Sequence, residues 1–456
     1  MRTVSLPIVK DLSAVLETGM CIGCGACVAA DPELELVFDD RNQIWQPSGP
    51  GGEVAAGVCP AVQVDFEDLH RRLFPNQVPD VHGIVEKVYL AQSTNFERNL
   101  AASSGGLIKE LMHELLEHHQ VDGVIALTHI AGLRYEPRLI TELEQIDRLP
   151  GSIYHHLPFD NALRLLREGE GKRYVLVAIP CQLEGIYTYI FKHEPALADR
   201  IHTTIGLLCG WLYNHHSLRA LASYKGVDFE DVVGATYRGG GPVGKLRLQT
   251  KEGEIAVSRR IDFDYQVAFD RSFNTPRCHV CINHSNFLAD VVVGDAWLPS
   301  TVTTRTGISL VVCRKAGSAG LIDGLVEQGR VIATEVTVDE ITESQTRRVV
   351  FGDFAYAYAD YLKKVGEHCP EMTGPNRKAA RLVDPEVVER FHLELKQKLE
   401  LQRERRYRRL WWRKATIEFP RLAVRYLKWF FVRVLKIKSV LGMRKEVSRE
   451  KLSIFK

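Results

Sequence analysis

Three cysteines near the start of the chain are spaced closely enough to hold one inorganic cluster. They form a C-x2-C-x2-C run, made of Cys21, Cys24 and Cys27. The intervening loops are short and contain glycine, so sulfur atoms and backbone N–H groups can point toward one centre. Such a run is typical of a 4Fe–4S cluster. A zinc site or spare thiols are the alternatives, but zinc sites usually pair two C-x2-C units.

The fourth ligand of this cluster is not the one that bacterial ferredoxins use. Their run continues with x3-C-P, and its fourth cysteine serves a second cluster. This chain has Asp31-Pro32 at that position, so the proline is kept and the thiol is missing. We predict Cys59, which precedes Pro60, as the fourth ligand, with Asp31 as a minor alternative.

A second set of cysteines is more scattered and could hold a second cluster. It consists of Cys181, Cys209, Cys278 and Cys281. The first two closely follow apolar runs, at strand ends where α/β proteins gather their sites. The last two form a C-x2-C pair in a polar loop. Buried core thiols are the alternative for this set, and they are our interpretation of Cys313 and Cys369.

No other motif assigns a catalytic residue. There is no Ser/His/Asp set, no H-E-x-x-H and no Walker pattern. The pairs His155-His156 and His215-His216 lack metal spacing, and we expect them at the surface or in loops. The sequence therefore leaves the catalytic residues unknown.

The elements between these motifs predict a mixed α/β protein. Gly106 to His119 has the i, i+3, i+4 apolar spacing of an amphipathic helix. Four apolar runs predict buried strands, which favours a mixed sheet covered on both faces. They are 121–127, 174–179, 290–294 and 308–312. We predict a small ferredoxin-like segment (1–66), a mixed-sheet core (80–361) and a helical basic tail (376–456).

The tail carries an unusual charge. Residues 401–456 contain 18 Lys and Arg against 4 acidic residues, whereas the chain as a whole has a net charge of +2. Residues 421–441 place cations on one stripe of a helix, with Trp and Phe elsewhere, and contain no apolar run that could span a bilayer. We predict attachment to a membrane surface. Packing on a partner subunit or on the acidic body is the alternative, and nucleic acid is not an expected partner.

The cysteines and the N-terminal residues predict a compartment. Met1 to Met20 contain no uninterrupted apolar segment of the kind found in signal peptides. The ten cysteines are then expected as thiols or metal ligands in a reducing cytoplasm rather than as disulfides. Combined with the tail, this predicts a cytoplasmic protein at the inner face of the plasma membrane.

Several motifs occur together in one order along the chain. They are the Cys21–Cys27 run, Ala102-Ser103-Ser104-Gly105-Gly106, Pro180-Cys181-Gln182, Ile205 to Cys209, Tyr237-Arg238-Gly239-Gly240-Gly241 and Ala289 to Trp297. Over roughly residues 19–351 the chain resembles the coenzyme F420 hydrogenase/dehydrogenase beta-subunit family. That family is related to the 7-hydroxymethyl chlorophyll a reductases and to a class of vinyl chlorophyllide reductases.

The resemblance implies cofactors and their sites. It implies two 4Fe–4S clusters, the second held by Cys181, Cys209, Cys278 and Cys281, and a flavin, FAD rather than FMN. The turn Ser103, Ser104, Gly105 and Gly106 would receive a flavin phosphate at the start of a helix, and Asp295 would be a polar contact beside Trp297. Two departures concern these sites: Ala178-Ile179 replaces the family's Gly-Thr before Pro180, and Ile282-Asn283 lacks its acidic residue.

The resemblance also implies a function. We expect an oxidoreductase that passes electrons from a ferredoxin-like or deazaflavin carrier, through clusters and flavin, to a small organic substrate. Relatives among polysaccharide-biosynthesis proteins suggest a glycan precursor. The alternatives are an electron-input subunit of a larger redox complex and a non-catalytic scaffold with structural clusters.

Overall fold

The computed structural model describes residues 10–240, 244–259, 261–301, 306–374 and 383–418, with the side chains of 346–352 excepted. The helices are α1 (Ser13–Thr18), α2 (Ala26–Ala30), α3 (Glu53–Gly57), α4 (Phe66–Leu73), α5 (Phe96–Ala101), α6 (Leu107–Glu117), α7 (Leu143–Arg148), α8 (Asn161–Glu168), α9 (Pro180–His193), α10 (His216–Lys225), α11 (Phe263–Ala268), α12 (Ala316–Glu327), α13 (Asp339–Ser344), α14 (Thr346–Lys364), α15 (Pro385–Arg403) and α16 (Tyr407–Arg413). Short 3-10 turns lie at Pro195–Arg200, Phe229–Asp231, Arg271–Phe273 and Pro276–Val280.

The strands form one large sheet and three small ones. They are β1 (Leu36–Asp39), β2 (Ile44–Pro47), β3 (Gln63–Asp65), β4 (Lys87–Ser93), β5 (Gly123–Ala131), β6 (Arg134–Ile140), β7 (Tyr174–Ala178), β8 (Ile201–Leu207), β9 (Val232–Thr236), β10 (Lys245–Thr250), β11 (Gly253–Ser258), β12 (Val291–Asp295), β13 (Ser309–Cys313), β14 (Val331–Val336) and β15 (Glu371–Thr373). The large sheet has the order β14-β4-β13-β12-β8-β7-β5-β6. Its four central strands β12, β8, β7 and β5 are parallel, and the strands outside them pair antiparallel. The predicted mixed α/β class and the four predicted strands are confirmed.

Both faces of the large sheet are covered. Successive residues of its strands enter different cores, as Val291 and Val292 do, because side chains alternate across a strand. One face packs on α6, α7 and α12, and the other on α8 and α9. The predicted amphipathic helix 106–119 is α6, whose Leu107, Leu111 and Leu115 are buried.

The N-terminal residues are packed against the C-terminal helices. Strand β3 pairs in parallel with β15, more than 300 residues later in the chain. Leu12, Val15 and the first cysteines share a core with residues of α14 and α15, including Tyr358 and Val388. The first cysteine set is therefore held by both ends of the described chain.

The first part of the basic tail packs on the body of the protein. Tyr407 and Leu410 of α16 are buried against α10 and α11, and Trp411 Nε1 donates to Asp264 Oδ1 at 2.8 Å. Asp270 lies between two lysines, 3.4 Å from Lys398 Nζ and 2.5 Å from Lys414 Nζ. For this part of the tail the structure thus shows packing on the acidic body.

The predicted membrane-binding helix, 421–441, lies outside the described residues. Trp412, nine residues before this segment, is 61% exposed. Within the described ranges, none of the helices combines the length and the apolar character needed to cross a membrane.

Candidate metal centres and cofactor pocket

Two glycines allow the first cysteine run to follow its tight path. Gly23 and Gly25 have φ of 67° and 79°, in the left-handed region that favours glycine. A side chain at either position would also clash with neighbouring backbone atoms. A Cβ on Gly25 would lie 2.1 Å from the Cα of Asp160, and one on Gly23 would lie 2.5 Å from the carbonyl oxygen of Leu157. The loop is therefore pressed against residues 157–160.

The four cysteines of the first predicted site line one pocket. Its empty volume is about 330 Å³, and its other walls include Leu12, Val15 and Leu36. The pocket is lined by Cys21, Cys24, Cys27 and Cys59. Asp31, the alternative ligand, is not part of this lining; its Oδ1 accepts from the backbone N–H of Glu33 at 3.1 Å.

The chemistry of this pocket fits a metal cluster. Burial raises the pKa of Cys21 to about 12 and that of Cys59 to about 11. Burial also raises the pKa of Cys24 and Cys27 well above the usual range, and neighbouring cysteines add to the effect. Thiolates so enclosed need a compensating cation, and a coordinating metal supplies one. We call these four residues the first quartet.

His156 holds the loop of the first quartet. The backbone N–H of Trp45 donates to its Nδ1 at 3.2 Å, so its Nε2 carries the proton and donates to the Cys21 carbonyl at 3.0 Å. Burial lowers the pKa of His156 to about 3, which keeps the ring neutral. The pair His155-His156 was noted in the sequence but was assigned no role at the cysteines, because a contact with the Cys21 carbonyl leaves no local signal in the sequence.

The expectation that the paired histidines lie at the surface or in loops was half right, because His155, His156 and His215 lie outside helices and strands but none is at the surface. His155, His156, His215 and His216 are all buried. Tyr237 O–H donates to His155 Nδ1 at 2.6 Å, and His155 Nε2 donates to the Leu133 carbonyl at 2.8 Å. Each ring replaces water with fixed hydrogen bonds, which is how imidazoles are accommodated in a core.

The second cysteine set gathers at one edge of the large sheet. Strands β7 and β8 are parallel, so Cys181 and Cys209, which follow them, lie at the same carboxyl edge. Pro180 opens α9, and Gln182 Oε1 accepts from the Ile179 N–H at 3.0 Å, which places Cys181 in the first turn. The pair Cys278 and Cys281 comes from the 3-10 turn Pro276–Val280 and the residue after it.

Backbone groups already serve the sulfur atoms of this second set. The Leu212 N–H donates to Cys278 Sγ at 3.3 Å. His284 Nδ1 donates to the Cys209 carbonyl at 2.9 Å. Burial raises the pKa of Cys181 well above its usual range, and Glu184 and the other three cysteines raise it further, which reflects their proximity. We call Cys181, Cys209, Cys278 and Cys281 the second quartet.

The two quartets meet through helix α9. A Cβ added to Gly185 would lie 2.6 Å from Cys24 Sγ. Gly185 comes four residues after Cys181, which is about 6 Å along a helix axis. Cys24 Sγ of the first quartet therefore contacts α9, the helix whose first turn carries Cys181 of the second quartet.

Among the described residues, no three His, Cys, Asp or Glu side chains are placed to hold one metal ion. A cubane binds each thiolate through a different iron atom, so its cysteines stand farther apart than those around one zinc ion. The four thiols of each quartet fit such a cluster in type and number.

The turn predicted to receive a flavin phosphate is bonded to the large sheet. The Gly105 N–H donates to Ser309 Oγ at 2.9 Å, and the Gly105 carbonyl accepts from the Ser93 N–H at 2.7 Å. Ser104 Oγ donates to the Ile308 carbonyl at 3.1 Å. Gly106, with φ of 79°, precedes α6. The turn is thus fixed before any ligand arrives, and α6 begins directly after it.

Arg238 connects the predicted cofactor residues. Its guanidinium makes two bonds to Asp295, Nη1 to Oδ2 at 2.8 Å and Nη2 to Oδ1 at 3.0 Å. It also donates to the Ser103 carbonyl and lies 5.9 Å from the ring centre of Trp297, which is 40% exposed. Arg238 belongs to one of the family motifs but was not among the predicted site residues. Its position beside three glycines was the available signal, because such a turn lets a ligand approach the backbone.

Family models match most of the sheet-containing part of the chain. The model of the N-terminal part of the coenzyme F420 hydrogenase/dehydrogenase beta subunit matches residues 88–164. The model of the C-terminal part of the same beta subunit matches residues 171–339. The second match contains the whole second quartet, together with Arg238 and Asp295.

Curated relatives agree with these matches. A coenzyme F420-dependent sulfite reductase of Methanocaldococcus jannaschii is 24% identical over 65% of this chain, and the match spans only 46% of that protein. The F subunit of the F420H2 dehydrogenase of Methanosarcina mazei is 24% identical over 65% of this chain and 82% of its own length.

A solved structure shows the same fold. It is a chain of the F420-reducing NiFe hydrogenase complex of Methanosarcina barkeri, with a TM-score of 0.51 at 19% identity. The match covers 66% of this chain and 99% of that chain. The predicted resemblance is confirmed, and the chain belongs to the coenzyme F420 hydrogenase/dehydrogenase beta-subunit family.

Proposed function

We propose that the chain is an iron–sulfur flavoprotein oxidoreductase with a 4Fe–4S cluster on each quartet. The observation that carries this proposal is the contact between Cys24 and α9, the helix whose first turn carries Cys181. A buried quartet and a half-buried quartet joined through one helix suit an electron path between two centres. The names of the relatives, an F420-dependent sulfite reductase and an F420H2 dehydrogenase component, support a redox role.

The clusters and the flavin would have different roles in electron transfer. Clusters carry single electrons, whereas a flavin combines two and delivers a hydride. The first quartet is enclosed by the N-terminal loop, which Gly23 and Gly25 shape, and by α9. The residues proposed to hold the flavin are Ser103, Ser104, Gly105, Gly106, Asp295 and Arg238. In this group Arg238 fixes Asp295 and donates to the Ser103 carbonyl of the turn.

The electron carrier and the substrate are proposed by analogy with the family. The carrier in the proposal is a deazaflavin such as coenzyme F420, or a ferredoxin-like protein, because the relatives are named for F420 chemistry. The substrate is a small organic molecule, with a cell-surface glycan precursor as the proposed context. Residues 421–441, with their basic and aromatic composition, would hold the protein at an anionic membrane surface.

The test follows reduction of the purified full chain under anaerobic conditions. Reduced F420 or reduced ferredoxin is added, and the visible absorbance of the clusters and flavin is recorded with time. We expect one of the two carriers to bleach both, and Cys24→Ser to slow flavin reduction at least tenfold. Cys369→Ser, a half-buried cysteine outside both quartets, is the matched control. Equal rates in the two variants, or bleaching by neither carrier, would contradict the proposal.

One observation favours a second candidate, an electron-input subunit. The similar solved chain belongs to a hydrogenase complex, and almost all of that chain is matched here. A subunit of this kind would accept electrons from its carrier but turn over no organic substrate alone. Rapid bleaching by the carrier without steady-state turnover, restored by a stoichiometric redox partner, would identify this role.

A further inference from the structure

A buried ion pair lies beside both cysteine quartets. Arg277 and Glu184 are 1% and 0% exposed, and Arg277 Nη2 lies 3.1 Å from Glu184 Oε2. Removing two charges from water is costly, and apolar residues of similar volume often replace such pairs without loss of stability. A role beyond stability is therefore the more economical explanation of this pair.

Glu184 is tied to the second quartet and is the neighbour of a residue that contacts the first. It lies three residues after Cys181 on α9 and immediately before Gly185, the residue in contact with Cys24 Sγ. Asn283, two residues after Cys281, donates from Nδ2 to Glu184 Oε1 at 2.9 Å. The carboxylate thus links the helix that carries Cys181 to the segment that carries Cys278 and Cys281.

Arg277 makes the reciprocal connection. It immediately precedes Cys278, and its Nε donates to the Pro60 carbonyl at 3.1 Å. Pro60 follows Cys59, the fourth cysteine of the first quartet. One guanidinium therefore bonds the backbone beside one quartet and the carboxylate beside the other.

We propose that Arg277 and Glu184 are positioning residues that fix the spacing of the two quartets and set the reduction potentials of the clusters on both. The inference rests on the proposed function, since it requires clusters at these cysteines. The geometry places the pair between the two sites: Glu184 lies on α9 between Cys181 and Gly185, and Arg277 precedes Cys278 and bonds the carbonyl of Pro60.

The electrostatic effect of the pair on the clusters has a definite sign. Reduction adds one negative charge to a cluster, so a nearby anion lowers its potential and a nearby cation raises it. Arginine stays protonated in proteins. Glu184→Gln therefore leaves an uncompensated cation between the quartets, and the potentials of both clusters should rise together.

The experiment is a redox titration of the anaerobically purified full chain, followed by electron paramagnetic resonance, with iron analysis of the same samples. In Glu184→Gln we expect both reduction potentials to rise by about 59 mV, which corresponds to a tenfold change in the one-electron equilibrium constant. The matched control is Glu110→Gln. Glu110 is also a buried glutamate paired with arginines, 2.7 Å from Arg98 and 3.2 Å from Arg330, but it lies on α6. Its removal should leave both potentials unchanged.

If the Glu184→Gln protein binds no cluster, a second, conservative variant tests the inference. Glu184→Asp keeps the charge and must then restore both clusters with potentials near those of the wild type. Unshifted potentials in Glu184→Gln, a shift of only one cluster, an equal shift in Glu110→Gln, or failure of the aspartate variant to restore clusters would each overturn the inference. A wild-type chain with fewer than two clusters would instead overturn the proposed function.

Discussion

Gly185→Ala tests the contact between the two quartets. The added methyl carbon would lie 2.6 Å from Cys24 Sγ and 3.3 Å from the Cβ of Ala26, where 3.4–4 Å is ordinary contact. Either α9 or the Cys24 loop must move. Overpacking of this kind costs about 1–3 kcal/mol, and alanine returns about 0.5–1 kcal/mol through its better helix propensity. We expect a net loss of about 1–2 kcal/mol in the free energy of unfolding.

The larger effect should be on the first cluster. Displacement of Cys24 removes one thiolate from its proposed ligand set, so iron content should fall from about eight to about four per chain. Iron analysis and urea unfolding of the same samples measure both effects. Gly320→Ala is the control, because Gly320 also lies inside a helix, α12, with no atom within 4 Å of its added Cβ.

The control variant should keep its iron and gain about 0.5–1 kcal/mol in stability. Full iron content in Gly185→Ala, with stability equal to that of Gly320→Ala, would refute the reasoning. In that case Cys24 would not be held against α9 in the way that the structure shows.

Three further predictions concern the other sites. Arg238→Met should weaken flavin retention about tenfold or more, because charged hydrogen bonds contribute about 1.5–3 kcal/mol; flavin released by heat should fall while iron content stays constant. Burial lowers the pKa of His216 to about 4 in the folded protein. Between pH 6.5 and 4 this histidine is therefore protonated in the unfolded chain but not in the folded one, so the free energy of unfolding decreases as the pH falls through this range. His216→Gln should reduce that loss by about 1.4 kcal/mol per pH unit, measured by urea unfolding; an unchanged slope would contradict this. Asp270→Asn should cost about 2 kcal/mol, because it removes one of the two carboxylates that pair with Lys398 and Lys414 and leaves only Glu418, whereas Asp122→Asn at an exposed pair should cost less than about 0.5 kcal/mol.

The sequence predicted the elements that have a strong local signal. Apolar runs of strand length correspond to β5, β7, β12 and β13, and the helical spacing of 106–119 corresponds to α6. These segments are buried on one or both sides, so their patterns follow directly from packing. Strand β14 had no comparable run to reveal it. Its side chains are partly exposed, and it is at the edge of the sheet.

The sequence named the candidate cysteines but not their surroundings. Spacing suggested the first quartet, whereas the second was a weak suggestion from scattered cysteines that the family resemblance strengthened. The contacts that support them, from His156 and the Arg277–Glu184 pair, join residues more than 90 positions apart. Such partners are set by the tertiary fold, and no local pattern in a single sequence marks them.

The basic tail illustrates the same limit. Its composition predicted contact with an anionic surface, and for residues 407–414 that surface is the protein itself, through Asp264 and Asp270. Composition gives the sign of the partner's charge. It does not distinguish a membrane from an acidic face of the same chain.

The most direct test of the two-cluster account is the cofactor content of the full chain purified without oxygen. Iron, acid-labile sulfide and flavin are measured on one sample. The account predicts about eight irons, eight sulfides and one flavin per chain, four irons and four sulfides for each cluster. About four irons without flavin would contradict it and leave a protein with a single cluster.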